Sequence, residues 1–322
     1  MTQNHFQDFT VEEMTELDPA LVVSVINASM PEDAWETEDE VRVGEELWRP
    51  GQVPLRLVVR RQDRPVAFGL TGTNIFDPKG KHFIGIFVLP EFRQRGIATH
   101  LYDRLESYAR DRGADSVRAG VHEHFLPMVQ PWLEKKGFTE IERMRPSELR
   151  LPEMDFERWA PAEDRVTDAG ITLTTLADDD TEARRRKLWE LSELTKRDIP
   201  HHGPPEEFPF EQFSGLLDRP EARRNCLVIA EDSDRFVGYT MLIHQTPDRA
   251  LTGLTGVDPA YRNRGIALAV KVRCARLARD SGYTAMRTYN HVNNPAMLAV
   301  NDRLGYVALP HFVLFQRALE SA

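Results

Sequence analysis

The feature that most constrains the fold is a sequence segment that occurs twice. Residues 88–98 read VLPEFRQRGIA and residues 257–267 read VDPAYRNRGIA, so a valine, a proline, an aromatic residue and the run R-x-R-G-I-A keep identical spacing. The match continues to Gly113 and Gly282, each of which follows an Ala-Arg-Asp triplet. Self-similarity of this length indicates a duplicated structural unit. A chain of 322 residues suits two domains.

Both halves have the same predicted order of secondary structure. Each contains a β-hairpin, a strand that leads into the repeated segment, a helix that begins there, a further strand and a second helix. The pattern predicts an α/β fold, with one domain over 1–150 and a second over 170–322. Residues 146–169 are rich in Pro, Asp, Glu and Arg and are typical of a linker, or of a return strand plus a linker. We therefore expect a linker over 151–169.

The repeated segment has the chemistry of an anion site. The first turn of a helix carries N–H groups without intrahelical partners, and the helix dipole adds positive potential there. Gly96 and Gly265 allow close approach of an anion because they lack a Cβ atom. The alternative, that each glycine only forms a turn, is weakened by the second copy. The segment is neither a dinucleotide fingerprint nor a P-loop, because G-x-G-x-x-G and G-K-[ST] are absent.

The two loops, RQRGIA at 93–98 and RNRGIA at 262–267, resemble the R/Q-x-x-G-x-G/A hallmark of the GNAT superfamily of N-acetyltransferases. The resemblance implies two tandem GNAT domains, each with a mixed, mostly antiparallel twisted sheet flanked by helices. It also implies that the loops bind the pyrophosphate of acetyl-CoA, and that a gap beside the preceding strand holds the pantetheine arm. The second half resembles the tandem-GNAT group to which mycothiol synthase belongs. The cofactor-binding residues implied are Val88, Arg93, Gln94, Arg95, Gly96, Ile97, Ala98, Val257, Arg262, Asn263, Arg264, Gly265, Ile266, Ala267 and Asn294.

Departures from the family pattern concern the proton donor and the first domain. Many GNAT enzymes have a tyrosine that protonates the CoA thiolate, whereas Asn301 and Leu133 stand at the matching positions here. Asn294 matches the asparagine that contacts the cofactor in the family, but the first half has Leu126 there. We therefore expect the second domain to be catalytic and the first to be degenerate in catalysis.

The general base is sought in the segment TKRDIPHH, because the strand 251–257 has no carboxylate. Asp198 is the leading candidate, followed by His201 and His202, since a neutral imidazole can accept a proton near neutral pH. The alternative is a helix-terminal aspartate and two solvent-facing histidines. Glu206 and Glu207 form an acidic loop that would attract a cationic amine.

Other partners are disfavoured by composition. A net charge of −10 does not suit binding to nucleic acid, and the sequence has neither a signal peptide nor an apolar segment long enough to cross a membrane. Cys226 and Cys274 are predicted to be buried apolar residues of a cytoplasmic protein. His122 and His124 would share one side of a strand end, but no third ligand follows at a diagnostic spacing, so no metal site is predicted.

We predict an N-acetyltransferase that transfers an acetyl group from acetyl-CoA to a primary amine of a small molecule. Because two domains in one chain can pair as single-domain relatives do by dimerisation, a monomer or a weak homodimer is expected. Two alternatives stay open at this point, a non-catalytic CoA-binding or regulatory module and a protein N-acetyltransferase.

Overall fold

The structure is a computed structural model that describes residues 8–49, 51–75, 77–200 and 208–319. None of the helices in these ranges combines the length and the apolar character required to cross a membrane.

The first repeat alternates strands and helices in the predicted order. Its elements are β1 (Thr10–Glu13), α1 (Pro19–Ser29), α2 (Glu38–Glu46), β2 (Leu55–Arg61), β3 (Arg64–Gly72), β4 (Lys81–Val88), α3 (Ile97–Asp111), β5 (Ser116–His122) and α4 (Leu126–Lys135).

The rest of the chain begins with a long strand and then repeats the pattern. Its elements are β6 (Thr139–Arg150), α5 (Phe156–Asp168), β7 (Ile171–Thr175), α6 (Glu182–Lys196), α7 (Phe210–Leu217), β8 (Val228–Asp232), β9 (Arg235–His244), β10 (Arg249–Val257), α8 (Ile266–Asp280), β11 (Ala285–His291), α9 (Pro295–Leu304), β12 (Val307–Ala308) and β13 (Phe312–Ala318).

The chain divides into two compact units. The first unit contains residues 1–143 and 312–322, and the second contains residues 144–311. Strand β6 passes from the first unit to the second, and the last strand of the chain, β13, belongs to the first unit. Each unit therefore takes its closing strand from outside its own repeat.

The sheet of the first unit has the strand order β1-β2-β3-β4-β5-β13. Its neighbouring strands are antiparallel except β4 and β5, which are parallel. Helix α3 packs on β3 and β4 because its apolar residues share one face, and Leu101 and Leu105 are fully buried there.

The sheet of the second unit has the order β6-β11-β10-β9-β8-β7, where β6 contributes residues 144–150. Again the neighbours are antiparallel except one parallel pair, β10 and β11. Helices α5 and α8 pack with β8 and β9 in one core, whereas α6 and α7 form a second core with β9. The mixed, mostly antiparallel sheets flanked by helices confirm the predicted fold class.

The interval predicted as a linker differs in the structure. Residues 151–153 form a 3-10 turn, and α5 follows within the second unit. Leu151, Phe156 and Val166 are buried in the core of that unit. Charged residues dominated the composition of this interval because α5 is amphipathic and exposes its polar face. Cys226 and Cys274 are free and buried, as predicted.

Candidate functional site

The two copies of the repeated loop have the same backbone conformation. After β4 and β10, each loop forms a 3-10 turn, an extended residue, and a residue with positive φ, Gln94 at 59° and Asn263 at 62°. Gly96 and Gly265 follow at φ 82° and 84°, a left-handed conformation that glycine adopts without steric cost. The duplication therefore extends from sequence to backbone geometry.

Each loop presents the amino end of a long helix. The first intrahelical hydrogen bonds run from the N–H groups of His100 and Ala269 to the carbonyl oxygens of Gly96 and Gly265, both at 3.0 Å. The N–H groups of the preceding three residues belong to the helix turn that lacks intrahelical acceptors. A Cβ atom placed on either glycine would meet no atom within 4 Å. An anion can therefore approach these amides without steric hindrance.

The arginines of the loops hold the loops in shape. Arg93 and Arg262 donate from Nε to the carbonyl oxygens at the ends of β4 and β10, at 3.1 and 3.3 Å. Arg95 and Arg264 donate to carbonyl oxygens in the 3-10 turns and lie over the aromatic residue of those turns. Sequence reasoning assigned these side chains to the anion, but the geometry gives them a conformational role as well.

Beside each loop, the two parallel strands separate. In the second unit the register pairs between β10 and β11 cover only Arg249 to Thr252, although β10 continues to Val257. In the first unit the pairs between β4 and β5 cover only Lys81 to Phe83. The predicted gap beside the strand is thus present in both units. Val88 and Val257 lie at the ends of the diverging strands, just before the loops.

The second unit has a bulge that the first unit lacks within the described pairs. The register between β9 and β10 shifts between Thr252 and Thr255, whereas β3 and β4 pair without a shift. A bulge bends its strand and increases the local twist, and this one lies where β10 leaves β11. The glycines of the segment LTGLTGV gave a signal for this feature that sequence reasoning did not use.

Asp198 lies next to the loop of the second unit. Its carboxylate accepts a hydrogen bond from Arg262 at 2.5 Å, and both side chains are about half exposed. Helix α6 packs closely on β10 and so brings Asp198, which follows the helix, to the loop. The close packing is evident at Gly256, where a Cβ atom would be 2.4 Å from the hydroxyl oxygen of Thr195. In the first unit Arg93 instead donates to the carbonyl oxygen of Ser29, at the end of α1. His201, His202, Glu206 and Glu207 lie outside the described residues.

The segment after β11 begins helix α9. Asn294 is the N-cap of α9, where its side-chain oxygen accepts a hydrogen bond from the N–H group of Met297 at 3.2 Å. The amide nitrogen of Asn294 is not needed for this cap. In the first unit the N-cap of α4 is Phe125, which provides no side-chain cap, and Leu126, matched to Asn294 by sequence, is the first residue of the helix.

Asn301, at the position of the family's tyrosine, is buried in the second unit. Its amide nitrogen donates to the side-chain oxygen of Asn290 at 2.7 Å, and its own oxygen has no hydrogen-bond partner among the described residues. Leu133, at the matching position of the first unit, is buried in the apolar core. Neither side chain can donate a proton to a thiolate as a phenol would.

Comparison with known proteins agrees with this geometry. The sequence model of the acetyltransferase (GNAT) family matches residues 22–138 and again residues 187–306. A mycothiol acetyltransferase from Rhodococcus jostii (strain RHA1) is 34% identical over 95 residues. That alignment spans only 30% of this chain and 30% of the relative.

Solved structures share the fold over nearly the whole chain. A GCN5-related N-acetyltransferase from Sphaerobacter thermophilus superposes with a TM-score of 0.75 at 18% identity, and covers 97% of this chain and 96% of its own. A tandem GNAT protein from the clavulanic acid biosynthesis pathway superposes with a TM-score of 0.71 at 18% identity. The aligned residues cover 96% of this chain and 98% of that protein. At 18% identity, this similarity is evidence for a shared fold and for nothing more specific.

Proposed function

Because the chain belongs to the acetyltransferase (GNAT) family, we propose that its second unit transfers an acetyl group from acetyl-CoA to a primary amine of a small molecule. The observation that carries the proposal is the gap between β10 and β11, which opens after Thr252 beside the loop that precedes α8. A helix amino end suits a diphosphate, and a gap between strands suits an extended pantetheine arm.

In this proposal the N–H groups of Ile266 and Ala267 bind the diphosphate, while Asn263, Arg264 and the amide of Asn294 border it. The thioester then lies near Val257, at the end of β10. GNAT enzymes generally use acetyl-CoA as the acyl donor. Asn301, which replaces the tyrosine of many family members, has no part in the proposed diphosphate binding. The first unit retains the same loop geometry, so we extend the binding role, but not the catalytic role, to Gly96 and its neighbours.

The reaction requires a neutral amine. Its nitrogen attacks the thioester carbonyl carbon, the carbon–sulfur bond breaks, and the products are an amide and the thiol form of CoA. One proton leaves the amine nitrogen and one reaches the sulfur, so a single proton relay through water can balance the step. Asp198 stays the candidate acceptor for the amine proton, although its carboxylate is already bonded to Arg262.

The experiment compares Gly265→Glu with Gly265→Gln by calorimetric titration with acetyl-CoA. Both variants carry the same strain of a side chain at positive φ and the same bulk, and only glutamate adds charge. We expect the glutamate variant to bind on the order of 100-fold more weakly than the glutamine variant. Like charges a few ångströms apart near a protein surface repel by about 3 kcal/mol.

The matching pair, Gly96→Glu and Gly96→Gln, serves as the control for stoichiometry. If both loops bind, each glutamate variant loses one site and retains the other. Equal affinity of Gly265→Glu and Gly265→Gln would contradict the diphosphate site at α8. Release of free thiol with a panel of small amines tests the chemistry, and binding without turnover of any amine would favour the non-catalytic module.

A further inference from the structure

Three potential metal ligands come together in the first unit, and one of them is distant in sequence from the other two. His122 ends β5, His124 lies in the 3-10 turn that follows, and Asp33 lies in a 3-10 turn after α1. Each offers one ligand atom, and these atoms all lie within 4.8 Å of one another. The sequence shows the two histidines but not the third ligand, because only the fold brings Asp33 to them.

The central member of this cluster is a buried imidazole. The side chain of His122 is only 10% exposed, and its Nε2 atom lies 3.4 Å from Oδ2 of Asp33. Its other ring nitrogen, Nδ1, is buried and has no hydrogen-bond partner within the part of the chain that the structure describes. Nε2 is therefore the ring nitrogen that faces Asp33, and it is the one available to share a ligand with that carboxylate.

We propose that Asp33, His122 and His124 form a binding site for a divalent transition-metal ion of the zinc class. Two imidazoles and one carboxylate are a ligand set that Zn²⁺ accepts, with a further position open to water or substrate. Ligand atoms about 2.0–2.1 Å from a tetrahedral ion are roughly 3.3 Å apart. The Nε2 to Oδ2 distance of 3.4 Å already has this value, and the site is complete when His124 turns a ring nitrogen towards the same point.

The two histidine rings lie close together. The rings of His122 and His124 are stacked with centroids 4.9 Å apart and an interplanar angle of 24°. Because the lone pair of an imidazole nitrogen lies in the plane of its ring, one of the two rings has to turn for both to bind the same ion.

The site lies beside the repeated loop of the first unit, residues 93–98. Arg93 of that loop donates to the carbonyl oxygen of Ser29, four residues before Asp33, and its guanidinium lies over the ring of Phe125. A metal ion would therefore link the segment after α1 to the end of β5, where β5 has already left β4.

The test titrates the full chain, without a histidine tag and without CoA, with Co²⁺ and Zn²⁺. We expect one tight Co²⁺ site with visible d–d absorption, displaced by Zn²⁺, and a Zn²⁺-dependent rise in Tm. His124→Gln changes an exposed side chain and Asp33→Asn preserves shape. Each is expected to weaken Co²⁺ binding at least tenfold and to abolish the shift in Tm.

The control is the double variant His201→Gln/His202→Gln. It removes two consecutive histidines that are not part of the proposed site, so the cobalt spectrum should be kept. Absence of saturable binding in the unmodified protein would overturn the proposal. Binding that survives both His124→Gln and Asp33→Asn, or that disappears in the control, would overturn it equally.

Discussion

Lys271 is a buried cation in the core of the second unit. It lies in α8, is 2% exposed, and its Nζ atom lies 5.2 Å from the ring centroid of Tyr306. The phenol of Tyr306 in turn lies 3.3 Å from the hydroxyl of Thr252, the last residue of β10 that pairs with β11. Tyr102 stands at the matching position of α3, where its hydroxyl accepts a hydrogen bond from Arg317 at 2.7 Å. The two units have thus filled one position of the repeat in different ways.

Burial lowers the pKa of Lys271 from 10.5 to about 8. Below pH 8 the lysine is protonated in both the folded and the unfolded chain, so the cost of burying the charge is fully present. Between pH 8 and 10.5 the folded protein has lost this proton while the unfolded chain still binds it. The free energy of unfolding contributed by this group therefore rises with pH across that interval.

We predict that Lys271→Met is more stable than the unmodified protein at pH 7, by about 1–3 kcal/mol. Methionine has a similar length and no charge to bury, and the full pKa difference corresponds to roughly 3 kcal/mol. The advantage should shrink as pH rises from 8 to 10.5. Urea unfolding of both proteins at several pH values measures it, because titrations common to both cancel in the difference.

Lys187→Met is the matched control for Lys271→Met. Lys187 lies in α6 of the same unit and pairs with the exposed Asp234, so its loss should change stability by less than about 1 kcal/mol. Its effect should not depend on pH between 8 and 10.5. If Lys271→Met were less stable than the unmodified protein at pH 7, the prediction would be wrong. The ammonium group would then make contacts that stabilise the folded state.

At the scale of elements, each repeated glycine loop is linked to the helix that packs across the preceding strand. In the first unit Arg93 joins the loop to the end of α1, and in the second unit Arg262 joins it to Asp198 after α6. The partner is a backbone carbonyl in one case and a carboxylate in the other. The structure therefore shows Asp198 in contact with the loop, and its role as a proton acceptor stays a prediction.

We predict that Asp198→Ala weakens acetyl-CoA binding about fivefold, while Asp198→Asn stays within about twofold of the unmodified protein. Asparagine retains an oxygen that can accept from Arg262, and an exposed ion pair contributes up to about 1 kcal/mol. Calorimetry gives the affinity, and kcat is measured with an amine found in the thiol-release panel. A loss in kcat of about 100-fold shared by both variants, with a flattened pH profile, would instead support the general base.

At the scale of the molecule, the duplication and the elements of each repeat could be predicted because their signals are local. The glycine loops, the hairpins and the amphipathic helices are each encoded within a few consecutive residues. The contact between Asp33 and His122 could not be predicted, since nothing near either residue indicates the other. The place of β13 could not be predicted for the same reason: the apolar run at the start of Phe312–Ala318 is typical of a strand, but it does not show which strand it pairs with.

Strand β13 belongs to the first unit although it follows the second repeat, so the chain cannot be cut into two complete units between the repeats. Strand β13 pairs with β5 along its whole length, from Phe312 opposite His122 to Ala318 opposite Ser116. Val313, Phe315 and Leu319 are buried in the core of the first unit. A fragment that ends near residue 150 lacks this strand, so the first repeat is not a complete unit by itself.

We predict that a chain ending at His311 loses several kcal/mol of stability in the first unit and little in the second. Each large apolar side chain removed from the core costs about 1.5–3 kcal/mol, and β5 becomes an unpaired edge. Hydrogen–deuterium exchange read by peptide should accelerate in β4, β5 and α3 while β9 and β10 stay protected. A chain ending at Leu319, which keeps β13, is the control. If β5 remained protected in the chain ending at His311, the first unit would draw its stability from the remaining strands alone, and the assignment of β13 as its closing strand would fail.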